Sequence, residues 1–282
     1  MSKIQAAIEA ARKRHEAVQA QSSIPATSSA QAVDHTTSSG NGRLSMRNVR
    51  RVVVNLETFK ANRILTHDTP HPAEAAYRML RTRLMQKKRS SGWRILGISS
   101  INPGEGKTFT AINLAISIAA EIGQEAVLVD LDLRRPTIHT CLGIDADEFT
   151  GLTQYLEGGA QNLGDFLICP GIDRLGCLLS AIPLPRPSDV LASPHGKRLF
   201  EELRQQLPPE TIVIVDLPPL FSTDDALAVA PMLDGLLLVV AEGYTKREDL
   251  ADARQLVQEF NVIGTLLNKS VEKDNKHTHY DY

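Results

Sequence analysis

The residues most suited to chemistry occupy one short segment, residues 103–108 (PGEGKT), between an apolar run that ends at Ile98 and another that begins at Ala111. This order predicts a strand, a tight loop and a helix. In such a loop the backbone N–H groups and the helix N-terminus point at phosphate oxygens, while lysine adds charge and threonine offers a hydroxyl to Mg²⁺. The segment therefore predicts a site for a nucleoside triphosphate. The alternative is an ordinary glycine-rich turn, since Ile101 stands where the first glycine of the common motif is expected.

Carboxylates follow two further apolar runs. Residues 126–129 lead into Asp130 and Asp132, whose alternate positions project to the same side of a strand. Residues 212–215 lead into Asp216, and the prolines at 218 and 219 prevent that strand from continuing. A magnesium–nucleotide site needs carboxylates at the ends of neighbouring strands. Each aspartate alone is also typical of a turn, but the three segments together predict such a site.

These segments resemble the motifs of a known family, the bacterial tyrosine kinases of capsule and exopolysaccharide biosynthesis, whose P-loop fold is related to MinD and ParA ATPases. The resemblance extends from about Glu74 to the C-terminus. Residues 103–108 resemble the family's Walker A motif, residues 129–136 (VDLDLRRP) its Walker A′ motif and residues 215–219 (VDLPP) its Walker B motif. The ParA signature lysine is replaced by Asn102, which favours the kinase branch.

The resemblance implies an ATP-dependent protein tyrosine autokinase that uses Mg²⁺. Its catalytic residues are then Lys107, Asp130, Asp132 and Asp216, and Mg²⁺ is held by Thr108, Asp132 and Asp216. The sequence does not decide whether Asp130 or Asp132 is the base that accepts the proton of the tyrosine hydroxyl. ATP is expected to contact Pro103, Gly104, Glu105, Gly106, Lys107, Thr108, Phe109 and Asn268.

The C-terminal tail, residues 271–282, is polar and lacks an apolar period, so it is predicted to be disordered. Its last tyrosines, Tyr280 and Tyr282, resemble the phospho-acceptor cluster of the family. The alternative is an inert terminus. The other candidate acceptors are Tyr77, Tyr155 and Tyr244.

Several charged residues have two interpretations. The family carries a Glu-x-x-Arg-x-x-Arg interface helix, whereas Glu74, Arg78 and Arg81 are spaced Glu-x-x-x-Arg-x-x-Arg, with alanine at the expected acidic position. Glu74 and Arg78 are also spaced for an intrahelical salt bridge.

Arg134 and Arg135 also have two interpretations: they fit either a contact with phosphate or with an acidic tyrosine tail, or surface salt bridges. Residues 52–57 and 64–66 resemble the lead-in of stand-alone cytoplasmic autokinases.

Composition and charge restrict the partners. The 282 residues carry a net charge of −2, so no electrostatic attraction to nucleic acid is expected. The three cysteines, Cys141, Cys169 and Cys177, lack metal or redox spacing. No apolar run approaches the ~20 residues that span a bilayer and no signal-peptide core is present, so a cytoplasmic protein is expected.

The family resemblance implies further partners. It implies recruitment to the inner face of the plasma membrane, a membrane-bound polysaccharide chain-length determinant as activator, a cognate tyrosine phosphatase and a homo-oligomer.

Alternating strand and helix patterns predict an α/β fold with a doubly wound, mostly parallel sheet of the P-loop NTPase type. The predicted segments are a short helix (1–19), a flexible linker (20–47), the kinase domain (48–270) and the tail (271–282). Predicted strands lie near 93–99, 125–131, 174–179, 211–216, 234–241 and 262–268, and helices near 107–122, 187–206, 223–232 and 246–259. The alternative function is a MinD/ParA-like ATPase that switches conformation without kinase activity.

Overall fold

The computed structural model describes residues 43–66, 71–158 and 162–270. The predicted N-terminal helix, residues 20–42 of the predicted linker, and the tail with Tyr280 and Tyr282 lie outside the described residues. Within the described ranges, no helix is both long and apolar enough to cross a bilayer.

One eight-stranded sheet forms the centre of the described chain, in the order β1-β4-β5-β3-β6-β2-β7-β8. Neighbouring strands are parallel except β4 and β5, which are antiparallel. This confirms the predicted mostly parallel α/β fold, although the short strands β1 and β4 were not predicted. The strands are β1 (Arg50–Arg51), β2 (Ile95–Ser100), β3 (Ala126–Asp130), β4 (Leu167–Cys169), β5 (Leu175–Leu178), β6 (Ile212–Asp216), β7 (Gly235–Ala241) and β8 (Val262–Asn268).

Both faces of the sheet are covered, which explains why its strands read as continuous apolar runs. In β3, Val127 and Val129 belong to one buried cluster, whereas Ala126 and Leu128 belong to a second on the opposite face. Helices contribute to both clusters. They are α1 (Leu56–Ala61), α2 (Pro72–Ser91), α3 (Lys107–Ala119), α4 (Ile138–Cys141), α5 (Leu152–Leu156), α6 (Pro187–Ala192), α7 (Pro194–Gln206), α8 (Asp225–Val229) and α9 (Arg247–Leu256).

The helix predicted near 187–206 is two helices, α6 and α7. The break falls at Ser193, whose backbone is extended (φ −67°, ψ 168°) because Pro194 follows it. The Ser193 hydroxyl accepts a hydrogen bond from the backbone N–H of Gly196 at 3.3 Å and so caps α7. The predicted helices near 223–232 and 246–259 also end earlier as α-helices, each finishing in a 3₁₀ turn.

Packing contacts begin before residue 48, within the segment predicted to be linker. Leu44 N–H donates to the carbonyl of Gln206 at 2.6 Å, and a 3₁₀ turn spans Met46–Asn48. Met46 is only 5% exposed and packs against Gly176 of β5. The mostly polar composition of the surrounding residues hid this buried side chain from sequence analysis.

We predict that Met46→Ala lowers the free energy of unfolding by about 2–5 kcal/mol, because it removes a buried side chain. Val53→Ala is the matched control, since Val53 is 78% exposed, and it should change stability by less than about 0.5 kcal/mol. Urea unfolding measures both. Equal effects of the two variants would mean that Met46 belongs to the linker after all.

Candidate active site

The three segments that carry the candidate catalytic residues meet at the carboxyl edge of the sheet, where its parallel strands end. The glycine loop, residues 101–106, connects the end of β2 to the start of α3. β6 lies between β2 and β3, and Asp130 at the end of β3 is paired in register with Asp216 at the end of β6. Strand order alone therefore brings Lys107, the first residue of α3, beside both carboxylates.

The glycine loop has a backbone that only glycine adopts easily. Gly104 (φ +80°) and Gly106 (φ +96°) both lie in the left-handed region. A Cβ at Gly106 would also collide with the side chain of Asn268, whose Nδ2 donates to the carbonyl of Glu105 at 2.8 Å. Asn268, at the end of β8, thus supports the loop. Its contact with adenine stays a prediction.

The ammonium group of Lys107 is shared between carboxylates. Its Nζ lies 2.7 Å from Oδ2 of Asp132 and 3.5 Å from Oδ2 of Asp216. The hydroxyl of Thr108 donates to the same Asp216 oxygen at 2.7 Å. Burial alone would lower the pKa of Lys107, but the charges of Asp216 and Asp132 outweigh it and raise that pKa. The lysine is therefore firmly protonated.

Asp130 and Asp132 have different environments. Asp130 is fully buried, and its carboxylate accepts from the backbone N–H groups of Asp132 at 3.3 Å and Ile138 at 3.2 Å. Burial raises the pKa of Asp130 well above its usual value, and the nearby charge of Asp216 adds to the shift. Asp132, by contrast, borders the cavity at the mouth of the site. Of the two candidates for the base, only Asp132 faces space that a substrate can enter.

A cavity of about 570 Å³ opens in front of the glycine loop, a size typical of small-molecule sites. Asp132, which borders the cavity, and the buried Asp216 both lie beside the ammonium group of Lys107. Carboxylate and hydroxyl oxygens are also the ligands that Mg²⁺ prefers. The donor set therefore fits a divalent cation. The cavity lining is Pro103, Gly104, Gly106, Lys107, Thr108, Phe109, Asp132, Arg134, Arg135, Thr137, Pro218, Pro219, Ser222 and Thr223.

The two arginines after Asp132 have separate surroundings. Arg134 donates to both carboxylate oxygens of Asp225, at 2.7 and 3.1 Å, so a salt bridge is observed there. Arg135 is exposed and borders the cavity. Asp225, almost completely buried at the start of α8, was missed from the sequence, because no local motif marks it.

The α2 residues that resemble an interface motif make contacts within their own chain. Arg78 pairs with Glu74 at 3.3 Å, which confirms the intrahelical salt bridge. Arg81 donates to the carbonyl of Ser117 at 2.6 Å and lies 3.2 Å from the carboxylate of Glu121. Arg81 therefore ties α2 to the end of α3.

Curated relatives decide the family. The tyrosine-protein kinase YwqD of Bacillus subtilis is 31% identical over 208 residues, which are 73% of this chain and 84% of that protein. The chain belongs to the bacterial tyrosine-protein kinases. The tyrosine-protein kinase CpsD of Streptococcus pneumoniae serotype 4 is 32% identical over 180 residues, 62% of this chain and 76% of that protein.

The kinase fold is also found among solved structures. The kinase domain of Escherichia coli tyrosine kinase ETK superposes with a TM-score of 0.65 at 24% identity, covering 84% of this chain and 96% of that chain. This likeness shows the fold. No protein-family model matches the chain.

A tyrosine kinase that phosphorylates itself needs an accessible tyrosine. Tyr77 is buried against Phe109, and burial raises its pKa to about 12. Tyr155 is also buried, and burial raises its pKa as well. Within the described ranges only Tyr244, 54% exposed, is open to another active site.

We predict that Gly106→Ala weakens binding of an ATP analogue by at least about tenfold, because the new Cβ strains the loop and displaces Asn268. Gly123→Ala is the matched control, since Gly123 has a similar backbone (φ +79°) but no atom within 4 Å of the added Cβ. Isothermal titration calorimetry compares the two. Unchanged affinity in Gly106→Ala would contradict a nucleotide site at the glycine loop.

Proposed function

We propose that this kinase transfers phosphate from Mg²⁺–ATP to its own C-terminal tyrosines, Tyr280 and Tyr282, and thereby regulates exopolysaccharide or capsule polymerisation or export. The observation that carries the catalytic part is the ammonium group of Lys107, held between Asp132 and Asp216 beside the Thr108 hydroxyl. The regulatory part rests on the resemblance of the sequence motifs to polysaccharide-associated kinases.

The glycine loop and the start of α3 bind the triphosphate in this proposal. Backbone N–H groups of residues 104–108 and the N-terminus of α3 face phosphate oxygens, and the side chain of Lys107 neutralises their charge. Thr108 and Asp216 would hold Mg²⁺, with Asp132 next to them. When bound, Mg²⁺ neutralises negative charge on the phosphate oxygens and orients them for transfer.

Asp132 is the proposed base. Without nucleotide its charge is satisfied by Lys107 at 2.7 Å. When Lys107 turns to phosphate oxygens, Asp132 loses this partner and can accept the proton of a tyrosine hydroxyl, whose ordinary pKa is about 10. Asp130 acts indirectly, since its carboxylate accepts from the backbone N–H of Asp132 and positions it.

The proposed partners follow from the family resemblance. A membrane-bound chain-length determinant would activate the kinase through its cytoplasmic tail and recruit it to the inner face of the plasma membrane. A cognate tyrosine phosphatase would reverse the reaction. Assembly into a homo-oligomer would let one subunit phosphorylate the tail of another.

The alternative is a MinD/ParA-like ATPase that acts as a switch without kinase activity. A ParA-type switch uses a signature lysine at the position of Asn102. Here the Asn102 side chain donates to Asp249 of the same chain at 2.8 Å. The absence of the signature lysine supports the kinase.

We predict that Lys107→Ala lowers autophosphorylation by at least about 100-fold, because charge-assisted contacts to the phosphates are lost. Phosphotyrosine formed per minute with Mg²⁺–ATP is the measurement, and circular dichroism checks that the variant folds. Lys197→Ala, at an exposed position of α7, is the matched control and should retain wild-type activity. A wild-type rate in Lys107→Ala would place the active site elsewhere.

We predict that changing both Tyr280 and Tyr282 to Phe removes most phosphotyrosine while Mg²⁺–ATP still binds, because the rings stay and the nucleophilic hydroxyls are lost. Mass spectrometry of phosphopeptides is the measurement. Tyr244→Phe is the control and should change little. Phosphate that persists in the tail-substituted protein and disappears with Tyr244→Phe would show that the acceptor assignment is wrong.

The same variants test transfer between subunits. A Lys107→Ala subunit with intact tyrosines is mixed with an active subunit that lacks Tyr280 and Tyr282. Phosphate on the Lys107→Ala subunit supports transfer to a neighbour. Its absence, even with the activator's cytoplasmic tail added, contradicts it.

A further inference from the structure

The glycine loop contains a carboxylate that points away from the cavity. Glu105 is fully buried, and its Oε2 accepts from the backbone N–H groups of Ile101 at 2.9 Å and Asn102 at 3.1 Å. These two N–H groups are at the start of the loop, where Ile101 replaces the glycine of the common motif. The Glu105 carboxylate therefore fixes the turn from inside the loop.

The second oxygen of this carboxylate is bound from a distant segment. Oε1 of Glu105 accepts from the hydroxyl of Thr245 at 2.6 Å, and that hydroxyl accepts from the backbone N–H of Ala241 at 2.8 Å. Thr245 lies between β7 and α9, and it does not border the cavity. A continuous path of hydrogen bonds thus joins the end of β7 to the glycine loop.

The same segment contacts the loop at a second place. Asp249, in the first turn of α9, accepts from the side chain of Asn102 at 2.8 Å and from the backbone N–H of Lys246 at 3.4 Å. Residues 245–249 therefore hold both the start of the loop and its buried acid. Of the contacts made by residues 245–249, the one from the Thr245 hydroxyl reaches the Glu105 carboxylate directly.

A buried carboxylate is costly unless its hydrogen bonds are satisfied. Glu105 receives two backbone donors and one side-chain donor. Removing the Thr245 hydroxyl leaves one oxygen of a buried charge without this donor, so the loop is expected to shift towards another partner. Such a shift moves the backbone N–H groups that face the cavity.

We infer that Thr245 is a positioning residue for the nucleotide site: acting through Glu105, its hydroxyl holds the glycine loop in the shape that binds phosphate. This inference rests on the proposed function, because it names a residue that supports the same site. Thr245 does not itself border the cavity.

The test compares Thr245→Val, which keeps the side-chain shape without the hydroxyl, with Thr245→Ser, which keeps the hydroxyl. Thr245→Val should raise the Kd of a Mg²⁺–ATP analogue and the KM for ATP by about tenfold or more, the loss expected from one hydrogen bond to a buried charge. We expect kcat to change by less than about threefold, since the reacting groups are untouched, and Thr245→Ser should stay close to wild type.

A second comparison shows whether Thr245 acts through Glu105. In a Glu105→Ala background, adding Thr245→Val should change the Kd by less than about twofold, because their shared interaction is already lost. A Thr245→Val protein with a lower melting temperature but unchanged Kd would reduce Thr245 to a structural role and overturn the inference. If the effects of Thr245→Val and Glu105→Ala on the Kd were fully additive, the inference would also be overturned. Should Thr245→Val not fold, Thr245→Ala carries the same test.

Failure of the proposed function gives a different result. If the wild-type protein binds the analogue and Lys107→Ala does not, the site is correct, and the Thr245 variants test the inference alone. If the wild-type protein does not bind the analogue, both the proposed site and the inference are wrong.

Discussion

The ion pair between Lys107 and the carboxylates of Asp132 and Asp216 is the interaction on which the rest of the site depends. The parallel sheet forces these groups together, because β3 and β6 are neighbours and end at the same edge as the glycine loop. Buried carboxylates repel each other and are poorly solvated, as the raised pKa values of Asp130 and Asp216 show. A single ammonium group balances only part of this charge. The site therefore fits a divalent cation beside Lys107.

The same interaction connects binding to chemistry. Lys107 can satisfy Asp132 or a phosphate, and the two compete for one ammonium group. In the proposed mechanism, arrival of a triphosphate frees Asp132 to act as the base. Asp130 cannot take that role, because its oxygens are bound to the backbone and it is fully buried. In that mechanism, one lysine couples occupancy of the nucleotide site to activation of the acceptor.

Local sequence patterns predicted the central strands and the motifs at their ends, since apolar runs, glycines and prolines act within a few residues. They also predicted that Lys107, Asp132 and Asp216 converge, because strand ends in a parallel sheet meet at one edge. They could not predict contacts between distant segments, such as Thr245 with Glu105 or Arg134 with Asp225. Such pairs depend on the final register of packed elements. Met46 was missed for a different reason, because most of the residues around it are polar.

The most direct test of this account is a crystal structure of the protein with Mg²⁺ and a non-hydrolysable ATP analogue. The account predicts that the triphosphate lies on the glycine loop, that Lys107 leaves Asp132 for phosphate oxygens, and that the metal lies beside Thr108 and Asp216. A nucleotide bound elsewhere, or a Lys107 that keeps its contact with Asp132 while the loop is occupied, would contradict it.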